Sequence, residues 1–258
     1  MDYQTITLKI TENIATLTLN RPEVKNALNG QMRAEIADAV RAVADQARVL
    51  VLTGAGSAFC SGQDLGGGGS VADLDIEQML RDEYVPMLKA IFECPLPTIS
   101  AVNGAAAGAG ANLALAADVV IAAESAVFVQ AFTRIGLIPD AGGTYWLPRQ
   151  VGFAKAMGAA LFAEPIPART ASDWGMIWEA VPDAGFAAHV AARAGHLAAG
   201  PTAAYRMAKQ ALRESFGNDL DQQLTLEAEL QGQCGKTRDF QEGVLAFLDK
   251  RRPEFEGR

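Results

Sequence analysis

The chain is poor in the residues that build disulfide frameworks and metal sites. It has three cysteines and two histidines in 258 residues. Cys60, Cys94 and Cys234 are too few and too scattered for a disulfide framework or a zinc site. His189 and His196 lie seven residues apart in an alanine-rich stretch, which places them on one helix face and predicts a surface or packing role. With so little histidine for acid–base chemistry, a carboxylate is the favoured proton carrier.

Long apolar runs and an excess of positive charge are also missing. No run approaches the roughly 20 apolar residues of a membrane span, and the first ten residues do not resemble a secretory signal. We therefore expect a cytoplasmic protein with free thiols. The net charge of -8 argues against nucleic acid or an anionic membrane as partner. Local basic groups could still bind an anionic small ligand, and Arg21, Lys25 and the cluster 250–252 are candidates.

Half of the residues are apolar, so the chain can bury a large core. Short strands alternate with helices through the first 200 residues, which predicts the α/β class. The pattern of residues 201–258 predicts helix almost throughout, so we predict a core over 1–200 and a carboxy-terminal helical region over 201–258. The apolar positions of this region favour oligomerisation slightly over packing on the core of the same chain. The segment 66–70, GGGGS, predicts a mobile loop that shapes acyl-group selectivity.

One carboxylate stands out in this acidic chain. Asp140 is the only Asp or Glu between Glu124 and Glu164, and its neighbours are apolar or lack side chains. Apolar surroundings disfavour the charged form of a carboxyl group and raise its pKa toward the range useful for proton transfer. Pro-Asp followed by Gly-Gly is equally ordinary turn chemistry. Local sequence alone favours the turn.

Three further segments combine glycine, alanine and asparagine at strand-to-helix turns. They are Leu19–Pro22 with Asn26–Leu28, Gly54–Gly56 leading to Phe59–Leu65, and Ala101–Gly110 followed by Asn112 and Asp118. Each alone favours a packing role. Together, in this order and with Ile138-Pro139 and Ala141–Thr144 downstream, they resemble the crotonase (enoyl-CoA hydratase/isomerase) superfamily over essentially the whole chain.

The resemblance implies a spiral of β-β-α turns, a carboxy-terminal helical region that forms homotrimers or hexamers, and an acyl-CoA substrate. No cofactor beyond the coenzyme A of the substrate and no metal is implied. The amides of Cys60 and Ala109 would form an oxyanion hole for the thioester oxygen, leaving the Cys60 thiol incidental. Residues implied to contact the substrate are Val24, Ala27, Ser61, Gln63, Asp64, Leu65, Gly108, Asn112, Phe132 and Lys250.

Two departures from the family pattern decide the expected reaction. The two glutamates with which the hydratases of this family activate water fall on Asn112 and Phe132, and neither residue can exchange a proton with water. Asp140 is the carboxylate that remains. One carboxylate beside an oxyanion hole suits a 1,3-proton shift, in a pocket from which Phe132 and Trp146 would exclude water. The sequence therefore predicts an isomerase with Asp140 as its base.

Residues 128–144, 147–149, 174–178 and 242–251 look closest to the branch of ring-1,2-epoxyphenylacetyl-CoA isomerases of phenylacetate degradation, which can also act as Δ3,Δ2-enoyl-CoA isomerases. A fatty-acid enoyl-CoA isomerase and a non-catalytic CoA-ester-binding homologue stay open. A dehalogenase of this family would need a histidine before the Thr98 strand. The segment 81–94 has none and carries Tyr84 instead. An RNA-binding role would need a basic face.

Overall fold

The computed structural model describes residues 2–66 and 75–258 of the chain. The glycine-rich segment predicted as a loop therefore lies outside the described residues, except for Gly66. Among the described residues, no helix combines the length and the apolar composition needed to cross a lipid bilayer.

Within the described residues, ten strands form two sheets. The strands are β1 (Ile6–Thr11), β2 (Ile14–Leu19), β3 (Val49–Gly54), β4 (Ala58–Cys60), β5 (Thr98–Val102), β6 (Ala105–Ala107), β7 (Val119–Ala123), β8 (Val127–Val129), β9 (Ile166–Pro167) and β10 (Glu179–Val181). The larger sheet has the order β1-β2-β3-β5-β7-β10 and the smaller one β4-β6-β8-β9. The β1–β2 and β8–β9 pairs are antiparallel, and all other pairs are parallel.

Helices connect and cover the strands. They are α1 (Gly30–Ala42), α2 (Ile76–Met79), α3 (Val85–Phe92), α4 (Ala109–Leu115), α5 (Gly143–Phe162), α6 (Ala168–Asp173), α7 (Phe186–Ala198), α8 (Thr202–Glu214), α9 (Leu220–Cys234) and α10 (Arg238–Leu248). Asn29 caps α1, because its side chain accepts a hydrogen bond from the amide of Met32.

The chain repeatedly places one strand in the large sheet, turns sharply into a strand of the small sheet and continues into a helix. The pairs β3–β4, β5–β6 and β7–β8 follow this course. Strands β3 and β5 are buried on both faces over most of their length, which explains why they read as unbroken apolar runs. The α/β class predicted from the alternation of strands and helices and the β-β-α spiral implied by the family resemblance are both confirmed.

The helical segment 76–92 changes its geometry just before Pro86. Leu80–Tyr84 forms a π-helical turn between α2 and α3, in which the amide of Val85 bonds to the carbonyl of Leu80. Proline has no N–H for the carbonyl four residues earlier and crowds it, so the preceding turn widens. Tyr84 ends this turn, and its side chain is buried.

Helices α8, α9 and α10 agree with the predicted helical tail. Lys209 on α8 binds the core, since its ammonium group donates to the carbonyls of Cys94 at 2.7 Å and Leu96 at 2.6 Å and pairs with Asp118 at 2.7 Å. Arg213, one turn later, reaches the other oxygen of Asp118 at 2.6 Å. The division at residue 200 stays a prediction.

Candidate active site

The site begins where strand β4 ends against the start of helix α4. A side chain at Gly110 would place its Cβ 2.3 Å from the carbonyl oxygen of Cys60, so only glycine permits this contact. This contact places Cys60 beside the start of α4, where Ala109 lies. Ala109 lines the cavity described below and Cys60 does not, and their pairing as an oxyanion hole stays a prediction. Ala109 is the first residue of α4, and the first amides of a helix have no acceptor within it. The amino terminus of a helix favours negative charge.

Gly62 keeps the backbone open beside Ala109. A Cβ at this position would lie 2.7 Å from the carbonyl oxygen of Ala107 and 3.4 Å from the amide nitrogen of Ala109. Its φ of 94° is also one that side chains disfavour. A ligand oxygen can thus approach the Ala109 amide without meeting a side chain from residue 62.

The thiol of Cys60 faces away from this chemistry. It is fully buried and donates a hydrogen bond to the carbonyl of Asn26 at 3.1 Å. Burial raises the pKa of the Cys60 thiol to about 12. Such a thiol is not ionised near neutral pH and is unsuited to act as a nucleophile.

Asp140 lies in the tight turn that enters helix α5. Its carbonyl accepts a hydrogen bond from the amide of Gly143 at 2.8 Å, and Ala141 and Gly142 between them have positive φ values of 48° and 84°. The turn expected from Pro-Asp-Ala-Gly-Gly is therefore present. The side chain is not used to build it, since Oδ1 is buried and has no hydrogen-bond partner within residues 2–66 and 75–258.

Burial raises the pKa of the Asp140 carboxyl from its ordinary value of 3.8 to about 6. Desolvation is the cause, because the charged form loses water and gains no compensating hydrogen bond at Oδ1. Such a group can hold or release a proton near neutral pH. The turn interpretation and the proton-transfer interpretation of Asp140 are thus compatible.

Asp140 and Ala109 line one cavity of 260 Å³. The other residues on its wall are Ser61, Gly62, Gln63, Leu65, Ile76, Met79, Tyr84, Gly108, Ala131, Phe132, Arg134, Ile135 and Leu137. Among these described lining residues Asp140 is the only carboxylate. The wall is otherwise mainly apolar, so a carbon acid bound there would meet one base in a poorly hydrated space.

Gln63 and Tyr84 form a polar section of this wall. The Tyr84 hydroxyl donates to Oε1 of Gln63 at 2.6 Å, and Arg33 donates to the same oxygen at 2.8 Å. Arg33 also pairs with Glu83 at 2.6 Å, and its guanidinium lies 4.7 Å from the centre of the Tyr84 ring. Burial raises the pKa of Tyr84, so its hydroxyl stays protonated.

Asn112 and Phe132 occupy different environments. Phe132 lines the cavity as expected. Asn112 does not, because its side chain is fully buried, accepts from Nε2 of Gln130 at 2.8 Å and donates to the carbonyl of Asp140 at 2.7 Å. Both ends of its amide are bound to protein, and its expected contact with substrate stays a prediction.

The other residues expected to touch substrate divide into two groups. Ser61, Gln63, Leu65 and Gly108 line the cavity. Val24, Ala27, Asp64 and Lys250 lie outside its lining.

Two of the second group support the loop beside the cavity. The carbonyl of Val24 accepts from the Ser61 hydroxyl at 3.2 Å, and Asp64 pairs with Arg21 at 2.7 Å. The hydrogen bond from Arg21 lowers the pKa of Asp64, which remains charged. Lys250 follows α10 and is exposed.

Trp146, expected as a pocket wall, lies elsewhere. It packs 5.1 Å from Phe92, ring centre to ring centre, and lines a wider cleft of 440 Å³ beside α8. The charged groups of that cleft include Asp118, which Lys209 and Arg213 already neutralise. The wider cleft thus has no carboxylate comparable to Asp140.

Three residues of the site were not predicted from the sequence. Tyr84 lines the cavity, Arg33 binds Gln63 in its wall, and Gln130 binds Asn112. A buried arginine on the apolar face of α1 was the available signal for Arg33, since burying a guanidinium requires partners. For Gln130 no local pattern was available. No group of three or more His, Cys, Asp or Glu side chains within the described ranges could hold a metal ion.

Comparison with known proteins agrees with this geometry. The sequence model of the family described as enoyl-CoA hydratase/isomerase matches residues 9–258. A Rhodobacter capsulatus protein described as a probable enoyl-CoA hydratase is 61% identical over 258 residues, covering 100% of both chains. The 1,2-epoxyphenylacetyl-CoA isomerase of Escherichia coli K12 is 46% identical over 96% of this chain and 97% of its own. The crystal structure of an enoyl-CoA hydratase from Polaromonas sp. JS666 superposes with a TM-score of 0.92 at 32% identity, covering 97% of this chain and 99% of that one.

Proposed function

This chain belongs to the enoyl-CoA hydratase/isomerase family, and from that premise we propose that it is an isomerase that shifts a proton within an acyl-CoA thioester. Asp140 is the proposed base, and the amides of Cys60 and Ala109 are the proposed oxyanion hole. The observation that carries the proposal is Asp140, the one carboxylate among the described residues that line the cavity, with its pKa raised to about 6 by burial.

The names of the relatives support both hydration and isomerisation, since one is named a probable hydratase and the other an isomerase. Residues of this chain favour the isomerase. Water addition in this family uses two glutamates, and their positions hold Asn112 and Phe132. Asn112 is bound at both ends by protein groups, and Phe132 has no proton to exchange.

The proposed reaction conserves atoms and charge. Asp140 removes a proton from the carbon α to the thioester, and the electron pair of that C–H bond moves into the thioester to form an enolate. The two amides stabilise the negative oxygen, each such donor being worth about 10²–10³ in rate in comparable sites. Protonated Asp140 then returns the proton two carbons along, so the double bond moves into conjugation with the carbonyl.

We propose 2-(1,2-epoxy-1,2-dihydrophenyl)acetyl-CoA as the substrate, with Δ3,Δ2-enoyl-CoA isomerisation as a second activity. Support comes from the Escherichia coli relative and from the aromatic and apolar wall made by Phe132, Tyr84, Met79 and Leu137. In the proposed reaction a proton leaves the α-carbon and reappears on the ring as the oxepin forms. One base that reaches both carbons serves both reactions.

A fatty-acid enoyl-CoA isomerase is the second candidate, because a mainly apolar wall also accepts an alkyl chain. A non-catalytic binder of CoA esters is the third. A binder has no use for a buried carboxylate without a partner at Oδ1, which costs stability unless it is needed.

Assembly into a homotrimer or hexamer is also proposed. Exposed apolar side chains on the carboxy-terminal helices support it: Leu212, Phe216, Leu220, Leu224, Phe240, Leu245, Phe247 and Leu248. Light scattering during size-exclusion chromatography measures the mass directly. A monomer at micromolar concentration would contradict this part of the proposal.

Product analysis tests the reaction. The purified protein is incubated with the aromatic epoxide thioester and with a 3-enoyl-CoA. The products are separated by liquid chromatography, and their molecular masses are measured by mass spectrometry. We expect products of unchanged mass from both. Asp173→Asn, at an exposed carboxylate ending α6, serves as control for Asp140→Asn and should keep full activity. Products heavier by one water from 2-enoyl-CoA, at a rate comparable to isomerisation, would contradict the proposal.

A further inference from the structure

We propose that Asn112 and Gln130 are positioning residues that hold the backbone of Asp140 in the orientation its carboxylate needs. This inference rests on the proposed role of Asp140 as the base. The contact that suggests it is the hydrogen bond of 2.7 Å from Nδ2 of Asn112 to the main-chain oxygen of Asp140.

The three residues come from separate parts of the fold. Asn112 lies in the middle of α4, Gln130 follows β8, and Asp140 precedes α5. Asn112 and Gln130 are 0% and 1% exposed. A buried amide group costs free energy unless it is hydrogen-bonded. The hydrogen bonds of Asn112 and Gln130 therefore form a defined link between α4 and the Asp140 turn.

The polarity of this chain of hydrogen bonds is forced. The Asp140 carbonyl can only accept, so Asn112 must present its N–H to it and turn its own oxygen toward Gln130. Gln130 must then donate, which it does at 2.8 Å. The Oε1 of Gln130 is left buried and without a partner among residues 2–66 and 75–258, which costs free energy. The reverse orientation of the two amides would instead leave the Asp140 carbonyl without the donor of Asn112.

The turn needs this support. Ala141 has a φ of 48°, a left-handed conformation that costs an alanine about 1 kcal/mol or more and persists where the surroundings impose it. The Asp140 carbonyl receives two hydrogen bonds, one from the amide of Gly143 and one from Asn112. Since the described residues offer carboxylate Oδ1 no hydrogen bond, we infer that the direction of the side chain is set through its main chain.

Packing explains why residue 112 is not a glutamate here. A Cβ on Gly143 would lie 2.4 Å from Nδ2 of Asn112, so the amide is pressed against the start of α5. A longer acidic side chain would displace the turn, and its carboxylate would repel the Asp140 carbonyl. The position therefore supports the base where hydratases of the family place a catalytic acid.

Gln130→Glu tests the polarity when the new carboxyl group is ionised, because a carboxylate accepts from Asn112 and turns the Asn112 oxygen toward the Asp140 carbonyl. The protonated form of the new side chain can donate to Asn112 and keeps the native order of the hydrogen bonds. Gln130→Met matches the size of the glutamine side chain and removes the donor to Asn112 without reversing the order of the hydrogen bonds. Gln233→Glu on α9 adds the same charge at an exposed position and serves as control.

We expect Gln130→Glu to lower kcat for 3-enoyl-CoA isomerisation about tenfold to a hundredfold, the range for a misplaced catalytic group, with KM within twofold of native. Gln130→Met should lower kcat by a smaller factor of about three or more. In Gln130→Met the acid limb of the kcat profile should move to lower pH as Asp140 gains water, whereas in ionised Gln130→Glu the added negative charge acts on the pKa of Asp140 in the opposite direction. A purely structural defect reduces the amount of active protein and leaves that limb in place.

Native kcat and an unmoved acid limb in folded Gln130→Met would overturn the inference, because methionine cannot donate to Asn112 at any pH. If Gln130→Met does not fold, Gln130→Leu, which also lacks the donor, decides in the same way. Asp140→Asn separates the two proposals: activity retained by Asp140→Asn removes the proposed base. Inactive Asp140→Asn together with native-like Gln130 variants removes only the positioning role.

Discussion

Asp140→Asn should make the folded protein more stable above neutral pH while it removes the proposed base. The amide has nearly the shape of the carboxyl group and never ionises. In the native protein the ionised carboxylate lies in a mainly apolar cavity with Oδ1 unpartnered among the described residues. The substitution therefore removes a charge that folding has to desolvate.

The magnitude follows from the pKa of Asp140, raised from 3.8 to about 6. Two pKa units correspond to about 3 kcal/mol of lost stability for the ionised group. The side chain retains contact with the cavity opening, so solvent screening reduces this to about 1–2 kcal/mol. Because the folded pKa is the higher one, the loss is absent well below pH 4 and complete above about pH 7.

Urea unfolding of both proteins at pH 8 and at pH 5, at equal protomer concentration, measures the effect. Asp140→Asn should gain about 1–2 kcal/mol over native at pH 8 and about half of that at pH 5. In thermal unfolding the gain at pH 8 corresponds to roughly 2–8 °C in Tm for a chain of this length. Asp173→Asn should show no such pH dependence. A gain equal at both pH values, or a loss at pH 8, would refute the assignment of a desolvated charge to Asp140.

Other predictions concern the pH profile, the thiol and the helical tail. The kcat/KM for isomerisation should rise about tenfold per pH unit up to an apparent pKa near 6 and level off above it, because the base acts when ionised; a profile flat from pH 5 to 8 would contradict this. Cys60→Ser keeps both the backbone amide and the donor to Asn26, so kcat should stay within about threefold of native, and iodoacetamide at pH 8 should leave native Cys60 unmodified. Lys209→Met leaves the carbonyls of Cys94 and Leu96 without their donor, which should cost about 2–3 kcal/mol in urea unfolding with unchanged kcat per folded protomer; unchanged stability would show that α8 does not depend on this contact.

Much of the fold could be predicted because its signals are local. The alternation of Ile6, Leu8 and Ile10 predicts a strand, although only Ile6 is buried, Leu8 is half-buried and Ile10 is exposed. The unbroken run Val49–Leu52 reflects a strand buried on both faces. The tail reads as helix because turn residues are rare in it. Proline gave the position of a helix break to within a few residues, while the widened turn before it depends on carbonyl geometry that sequence does not display.

The candidate site was only partly predictable, since its polar contacts join distant segments. Asp140 could be found because glycine and apolar neighbours mark it locally. The pairing of the Cys60 and Ala109 amides came from the resemblance to the family and stays a prediction. The hydrogen bonds of Asn112 could not be predicted, because its partners are Gln130 and a backbone carbonyl 28 residues away. Tyr84 reaches the cavity through the π-helical turn, which rotates the following residues relative to a regular helix.

Exchange of the α-hydrogens of a CoA thioester with D2O tests most directly whether Asp140 is the base. The exchange is followed by mass spectrometry for native protein, Asp140→Asn and Asp173→Asn, all checked for folding by urea unfolding. Removing a general base typically costs about 10²–10⁴ in rate, so Asp140→Asn should exchange at least a hundredfold more slowly while Asp173→Asn matches native. Exchange by Asp140→Asn within tenfold of the native rate would contradict the account.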